Sequence, residues 1–191
     1  MALVPVDISS YQAFRTEVLA RAASNLGYDV DGTGGYAGWD LAAELWMHIP
    51  EFSSGLWPKK GTYNTEYGIW LTEKETNAGS SFTLITSKTN IKRGDIIVLG
   101  PSGQWMGNGH IAFADEDYNG TDFLYLLGQN QVDTNPNTGH IPTLDNLSIE
   151  WFYGAFRYNG WGGGPTPPVT SSRKSRLPLI LTTRRLLDNM L

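Results

Sequence analysis

Between Asp29 and Asp40 the chain sets three carboxylates and four glycines into twelve residues, Asp29-Val30-Asp31-Gly32-Thr33-Gly34-Gly35-Tyr36-Ala37-Gly38-Trp39-Asp40. Carboxylates and backbone carbonyls are the ligands calcium takes, and glycines let a loop curl around an ion. Asp29-x-Asp31-Gly32 also opens like an EF-hand loop, although such a loop closes on Glu where this one has Asp40. The same stretch reads equally as a solvated acidic turn, because Asp-Gly is a common turn pair. Residue pattern leaves both readings open. His48, His110 and His140 are too dispersed for a zinc site. Asp115, Glu116, Asp117 and Asp122 read as a solvated hairpin tip rather than as the carboxylate pair of a glycosidase. There is no cysteine, so a thiol nucleophile and a disulfide framework are both excluded.

The elements that must position these groups belong to a chain of 191 residues and 21.1 kDa, the size of one domain with an appendage. At this size roughly two-thirds of the unfolded surface can be buried. Only 17% of residues are charged, and seven Trp and nine Tyr supply rings that fill cores or line grooves. Trp39, Trp70, Trp105 and Trp151 are candidates for a groove, with plain core as the alternative. The charge is uneven. Arg173, Lys174, Arg176, Arg184 and Arg185 against Asp188 give the last thirty-one residues +4 of a total of −5, leaving −9 on the first 160. An acidic body is a poor nucleic-acid binder. The N-terminus lacks the pattern of an export signal, and no apolar run is long enough to span a membrane.

Ser9 or Ser10 is placed to cap a helix carrying Tyr11, Phe14, Val18, Ala22 and Leu26 at helical spacing, with Gly27 as its stop. Trp39 to His48 reads as a second helix with Asp40 in its first turn, where a carboxylate suits the helix dipole. Tyr67 to Lys74 could form a short third one. The turn Ile91-Lys92-Arg93-Gly94-Asp95 leads into a buried strand, Ile96 to Leu99. His110 to Ala114 and Phe123 to Leu127 follow as strands around a hairpin turn with Asn119-Gly120. Ile149 to Tyr158 reads as the last strand. Helices first and an antiparallel meander after is an α+β layout. Residues 1–160 form the domain and residues 161–172 a Gly/Pro/Ser/Thr linker, with Trp161 in it. Residues 173–191 form a basic, apolar tail that reads either as a disordered end or as a peptide ordering on a partner protein.

Taken as an ordered set, these motifs resemble the CHAP family, papain-like cysteine amidases and peptidases that cut bacterial peptidoglycan. The set is the acidic loop, the Trp39-Asp40-Leu41 helix start, Lys92-Arg93-Gly94-Asp95-Ile96-Ile97-Val98, Gly109-His110-Ile111-Ala112 and Leu127-Gly128-Gln129-Asn130. The resemblance covers about residues 9–160 and is strongest to the CHAP domains of bacteriophage lysins and virion-associated wall hydrolases. It implies a papain-like fold, with N-terminal helices packed on an antiparallel sheet and an extended C-terminal tail. It also places the family's general base on His110 and an orienting polar residue on Asn130. The family's nucleophilic Cys falls on Gly38, the Gln that helps hold the oxyanion on Ala37, and an acidic orienting residue on Gly128. The resemblance further implies calcium (Ca2+) held by the carboxylates of Asp29, Asp31 and Asp40 and the carbonyls of Thr33 and Gly35.

Covalent acyl transfer needs a nucleophile within reach of an oriented base, and glycine supplies none. The expected function is therefore that of a pseudoenzyme: a catalytically inactive CHAP-like protein of the phage virion, made in the host cytoplasm and tail-associated. It would be structural or wall-contacting, and anchored to a larger virion protein through residues 173–191. The alternatives are a peptidoglycan amidase or endopeptidase whose Cys was lost or replaced, and a module that binds peptidoglycan without cutting it.

Overall fold

The computed structural model describes residues 6–28, 38–49, 68, 81–103, 107–131 and 141–162. The expected helix at 67–74 (Gly68 apart), the linker from 163 and the tail at 173–191 lie outside them.

Helix α1 spans Tyr11–Ala23. Ser10 caps it, its hydroxyl accepting from the Ala13 N–H at 3.1 Å. The expected run to Leu26 with a stop at Gly27 is too long. Asn25 takes φ 56°, its N–H donates to the Ala22 carbonyl, and the Leu26 N–H reaches back to Arg21 at 3.2 Å. That pair of bonds is a Schellman closure, and Asn is among the few residues besides Gly that tolerate this conformation. Leu26 is left exposed.

Helix α2 spans Gly38–Met47, and every residue from Gly38 to Trp46 is buried. A helix apolar on all sides belongs inside a protein. Asp40 and Glu44 go into the interior with it.

Six strands form one antiparallel sheet: β1 Phe82–Ile85, β2 Ile96–Leu99, β3 His110–Ala114, β4 Phe123–Gly128, β5 Thr143–Ser148 and β6 Phe152–Tyr158. Their order is β1-β6-β2-β3-β4-β5. The architecture is α+β, with the N-terminal helices on one face of the sheet. The expected meander holds from β2 to β4 and is extended by β5, which was not expected, while β6 returns to lie between β1 and β2. Residues Ile149–Trp151, expected in the last strand, form a turn closed by the Phe152 N–H on the Ile149 carbonyl.

On the helix side Phe14, Val18, Leu41, Leu45 and Trp46 pack with Ile96, Val98, Ile111, Phe113 and Phe156. The opposite side is filled by Ile97, Leu99, Ala112, Leu124 and Leu126, with Ile91 and Ile149 from the connections. Strands β2 and β3 are therefore buried at every residue. Each large apolar side chain so buried contributes about 1.5–3 kcal/mol.

Trp161, read from the sequence as the first linker residue, packs on the body. It stands edge-on to Tyr11 at 5.4 Å and to Tyr158 at 5.5 Å. Its indole N–H donates to the Ile8 carbonyl at 3.0 Å. The packed body thus includes Trp161, because an indole gains more from that aromatic pocket than from solvent.

Candidate functional site

The site is built where the N-terminus of α2 meets the first residue of β3. His110 begins β3 opposite Leu99 of β2 and is 2% exposed. Gly38 begins α2, and α2 packs on β3. A Cβ on Gly38 would lie 2.5 Å from the Ile111 carbonyl oxygen, 2.9 Å from His110 Cε1 and 3.1 Å from His110 Nδ1. The structure thus brings together Gly38 and His110, the residues on which the resemblance placed the family's nucleophile and base. It also leaves no room for a side chain between them, since one of the blocking atoms is backbone.

Gly128, at the end of β4, shows the same closure. A Cβ there would meet Gln131 Oε1 at 2.6 Å and the Ala112 methyl at 2.9 Å. Ala112 belongs to the cluster on the side of the sheet away from the helices. The space that a side chain at residue 128 would need is therefore filled by the Gln131 carboxamide. Gln131 is held there by its Nε2, which donates to the carbonyls of Leu126 and Thr143, both at 3.0 Å. Its Oε1 is buried without a hydrogen-bond partner among the described residues.

Asn130 follows in the bend after β4 at φ 57°. That left-handed conformation by itself favours Asn, so the residue has a backbone reason to be there besides any role toward His110. Between Gly128 and Asn130, Gln129 is fully buried and does a job that sequence reasoning did not assign. Its Oε1 accepts from the Tyr28 N–H at 2.9 Å and its Nε2 donates to the Tyr28 carbonyl at 2.8 Å. This two-bond clasp ties the chain just before the acidic loop to the end of β4. Nothing in the sequence around Gly128-Gln129-Asn130 signals this clasp, since Tyr28 is 101 residues away.

Of the expected calcium ligands, Asp29, Asp31, Thr33 and Gly35 lie outside the described residues. Asp40 is fully buried in the first turn of α2, as expected from its place in the helix. One turn on, Glu44 is also buried, and burial raises its carboxyl above the usual range while a hydrogen bond from His48 opposes that shift. The His48 Nε2 to Glu44 Oε1 distance is 3.3 Å. Burial likewise pushes the Tyr28 phenol up, with the nearby Glu44 charge adding to it.

Asp115 is drawn out of the expected solvated tip, its side chain 9% exposed, while Asp122 stays in it at 50%. Asp115 accepts from Arg15 Nε at 2.5 Å and Nη2 at 2.8 Å, and from the Tyr11 hydroxyl at 3.1 Å. Arg93 approaches it at 3.4 Å. Asp117 accepts from the Arg93 N–H and from Lys92 Nζ, both at 2.9 Å. Asp122 pairs with Lys88, and Glu116 accepts from the Tyr125 N–H at 3.0 Å. Asp95, from the Lys-Arg-Gly-Asp turn, is 1% exposed and receives Arg157 Nε and Nη2, both at 2.8 Å. These carboxylates fasten elements together, and none of them faces His110 across a described contact.

No family model matches the chain, and no curated protein matches it. Among solved structures the fold is similar to that of the wild-type endolysin LysIME-EF1, with a TM-score of 0.53 and 19% identity over 75% of this chain and 63% of that one. At that identity the likeness is one of fold. The chain spans less than two-thirds of that endolysin's length.

Proposed function

We propose that this chain is a catalytically inactive, CHAP-like relative of the cysteine peptidoglycan hydrolases, serving as a structural or wall-contacting part of a phage virion. One observation carries the reading. Glycine stands at the nucleophile position, and the volume a side chain needs there is taken by the Ile111 carbonyl and the His110 ring. A base without a nucleophile in reach leaves only the residual rate of an activated water. The fold shared with an endolysin supports the wall connection.

The proximity of Gly38 to His110 favours descent from a working amidase or endopeptidase. The closed space separates that ancestry from present activity. The test is clearing of a bacterial wall suspension by the purified chain and by His110→Ala. Neither should clear it. Clearing by the wild type that His110→Ala abolishes would overturn the reading.

Residues 173–191 anchor the chain to a larger virion protein, so deleting residues 165–191 should abolish incorporation into particles. Calcium would be held by Asp29, Asp31 and Asp40 through carboxylates and by Thr33 and Gly35 through carbonyls. The donor set is entirely hard oxygen. Asp40 lies buried in the first turn of α2, next to the acidic stretch. The ion would pin α1 to α2, and a chelator should lower the melting temperature.

A further inference from the structure

The chain holds three Asn-Gly pairs, Asn108-Gly109, Asn119-Gly120 and Asn159-Gly160. Such a pair can react with itself, because glycine has no Cβ to keep its amide nitrogen away from the carboxamide carbon before it. All three asparagines are exposed, so the contacts of each carboxamide decide between them. Asn119 is held at both ends of its side chain. Its Oδ1 accepts from the Thr121 N–H at 2.9 Å and the Thr121 hydroxyl at 2.7 Å, and its Nδ2 donates to the Phe123 carbonyl at 3.0 Å and to Glu116 Oε1 at 3.3 Å. This Asx turn aims the carboxamide past Gly120 at residue 121. In Asn159 the Oδ1 accepts from the Thr83 hydroxyl at 2.8 Å, and the main-chain N–H is tied to the Ser81 carbonyl. The Tyr158 ring lies over Gly160, 2.4 Å from where its Cβ would be. Asn108 is different. It sits in a turn between Gly107 at φ 94° and Gly109 at φ 73°, and the space beside Gly107 is open. No hydrogen bond among the described residues holds its carboxamide. Gly109 is buried, and among the described residues no hydrogen bond holds its N–H. Glycine on both sides gives Asn108 the widest choice of backbone conformation of the three.

We propose that Asn108 is a site of spontaneous deamidation and isoaspartate formation at the entrance to β3. The Gly109 amide nitrogen, its proton taken by solvent base, attacks Asn108 Cγ. A C–N bond forms, the Cγ–Nδ2 bond breaks, and the amide group leaves as ammonia with a proton from solvent. The product is a cyclic succinimide. Water then adds to one of its carbonyls, the C–N bond to that carbon breaks, and the proton returns to the Gly109 nitrogen. Opening at Cγ leaves an aspartate at position 108. Opening at the main-chain carbonyl leaves an isoaspartate, whose backbone runs through Cβ and Cγ. The net exchange is one water for one ammonia, and nothing is oxidised or reduced. Either product sets a new carboxylate one residue before His110. The isoaspartate also lengthens the main chain just ahead of the residue that pairs with Leu99. The turn beside His110 therefore comes to exist in more than one chemical form without any enzyme, whatever the function of the chain.

The experiment is incubation of the full chain at mildly alkaline pH, with peptides mapped at intervals for a gain of about one mass unit. An isoaspartate-specific methyl-transfer assay tells the two products apart. The same chain unfolded in urea is incubated beside it, and so is folded Asn108→Gln. In the folded chain Asn108 should be modified about tenfold or more faster than Asn119 and Asn159, the rate scale of hydrogen bonds that must break before attack. In urea, where those bonds are gone, the three rates should come within about twofold of one another. Asn108→Gln should lose the fast site, because its longer side chain would have to close a larger ring. Modification of Asn119 or Asn159 as fast as Asn108 in the folded chain would overturn the proposal. So would an Asn108 that stays intact in the folded chain after the unfolded chain has reacted at all three pairs.

Discussion

The two ends of β3 have been treated in opposite ways. Beyond its last residue, Asp115 gathers Arg15, Arg93 and the Tyr11 hydroxyl, and Trp161 closes over Tyr11, Phe14 and Phe113. Charges and rings from segments about a hundred residues apart meet there and lock α1 to the sheet. At its first residue, His110 stands against the start of α2, where its ring and the Ile111 carbonyl take the space a side chain at residue 38 would need. One end is rich in polar contacts and the other closes on glycine, yet the strand between them is uniformly buried. Charge pairing and close backbone packing are therefore separable ways of holding helices to a single strand.

This contrast can be broken from either end. The largest effect is expected for Trp161→Ala, which empties an aromatic pocket and should cost about 3 kcal/mol in urea unfolding. Ending the chain at Gly160 should do the same, while ending it at Gly162 should not. Asp115→Ala leaves two guanidinium groups short of their partner and should cost about 2–3 kcal/mol, at or just below the foot of the range for a broken buried pair, because Arg15 keeps some solvent contact. At the other end, Gly38→Cys should overpack the contact with Ile111 and cost about 1–3 kcal/mol. It should also fail to clear a wall suspension. Clearing by Gly38→Cys would mean that α2 can move off β3 and that this end is merely idle.

The smallest effect sharpens the picture of α2. Glu44 has a carboxyl raised by burial and partly relieved by His48. A carboxyl raised on folding contributes stability present below its unfolded pKa and lost as pH climbs through the folded value. Glu44→Gln should therefore gain on wild type, by under about 1 kcal/mol, as pH rises from 4.5, the ordinary glutamate value, to neutrality. A gap that shrinks over that window would mean the His48 contact outweighs burial.

Most of the sheet's centre was legible in the sequence. Ile96 to Leu99, His110 to Ala114 and the Asn119-Gly120 turn read correctly because unbroken apolar runs between turn residues have few other homes. The edge strands did not. β1 is four residues long and β5, Thr143-Leu-Asp-Asn-Leu-Ser148, is half polar, so neither shows a decisive period. The end of α1 was misplaced because glycine is the expected stop, and Asn25 did its work two residues sooner. The meeting of Gly38 with His110 was legible only through motif order, since nothing local ties residue 38 to residue 110. Asp115 was misread as part of a solvated tip for the same reason, since Arg15 is a hundred residues away.

The Gly38 and Gly128 closures have a mutational consequence as well as a chemical one. Each space is occupied by a different neighbour, one by the backbone of β3 and the other by a side chain from the loop after β4. A side chain introduced at either position would meet a steric penalty of its own. Placing side chains at both would need compensating changes at Gln131 and in the seating of α2 to arise together, so substitution is freer on the surface of this chain than at either glycine.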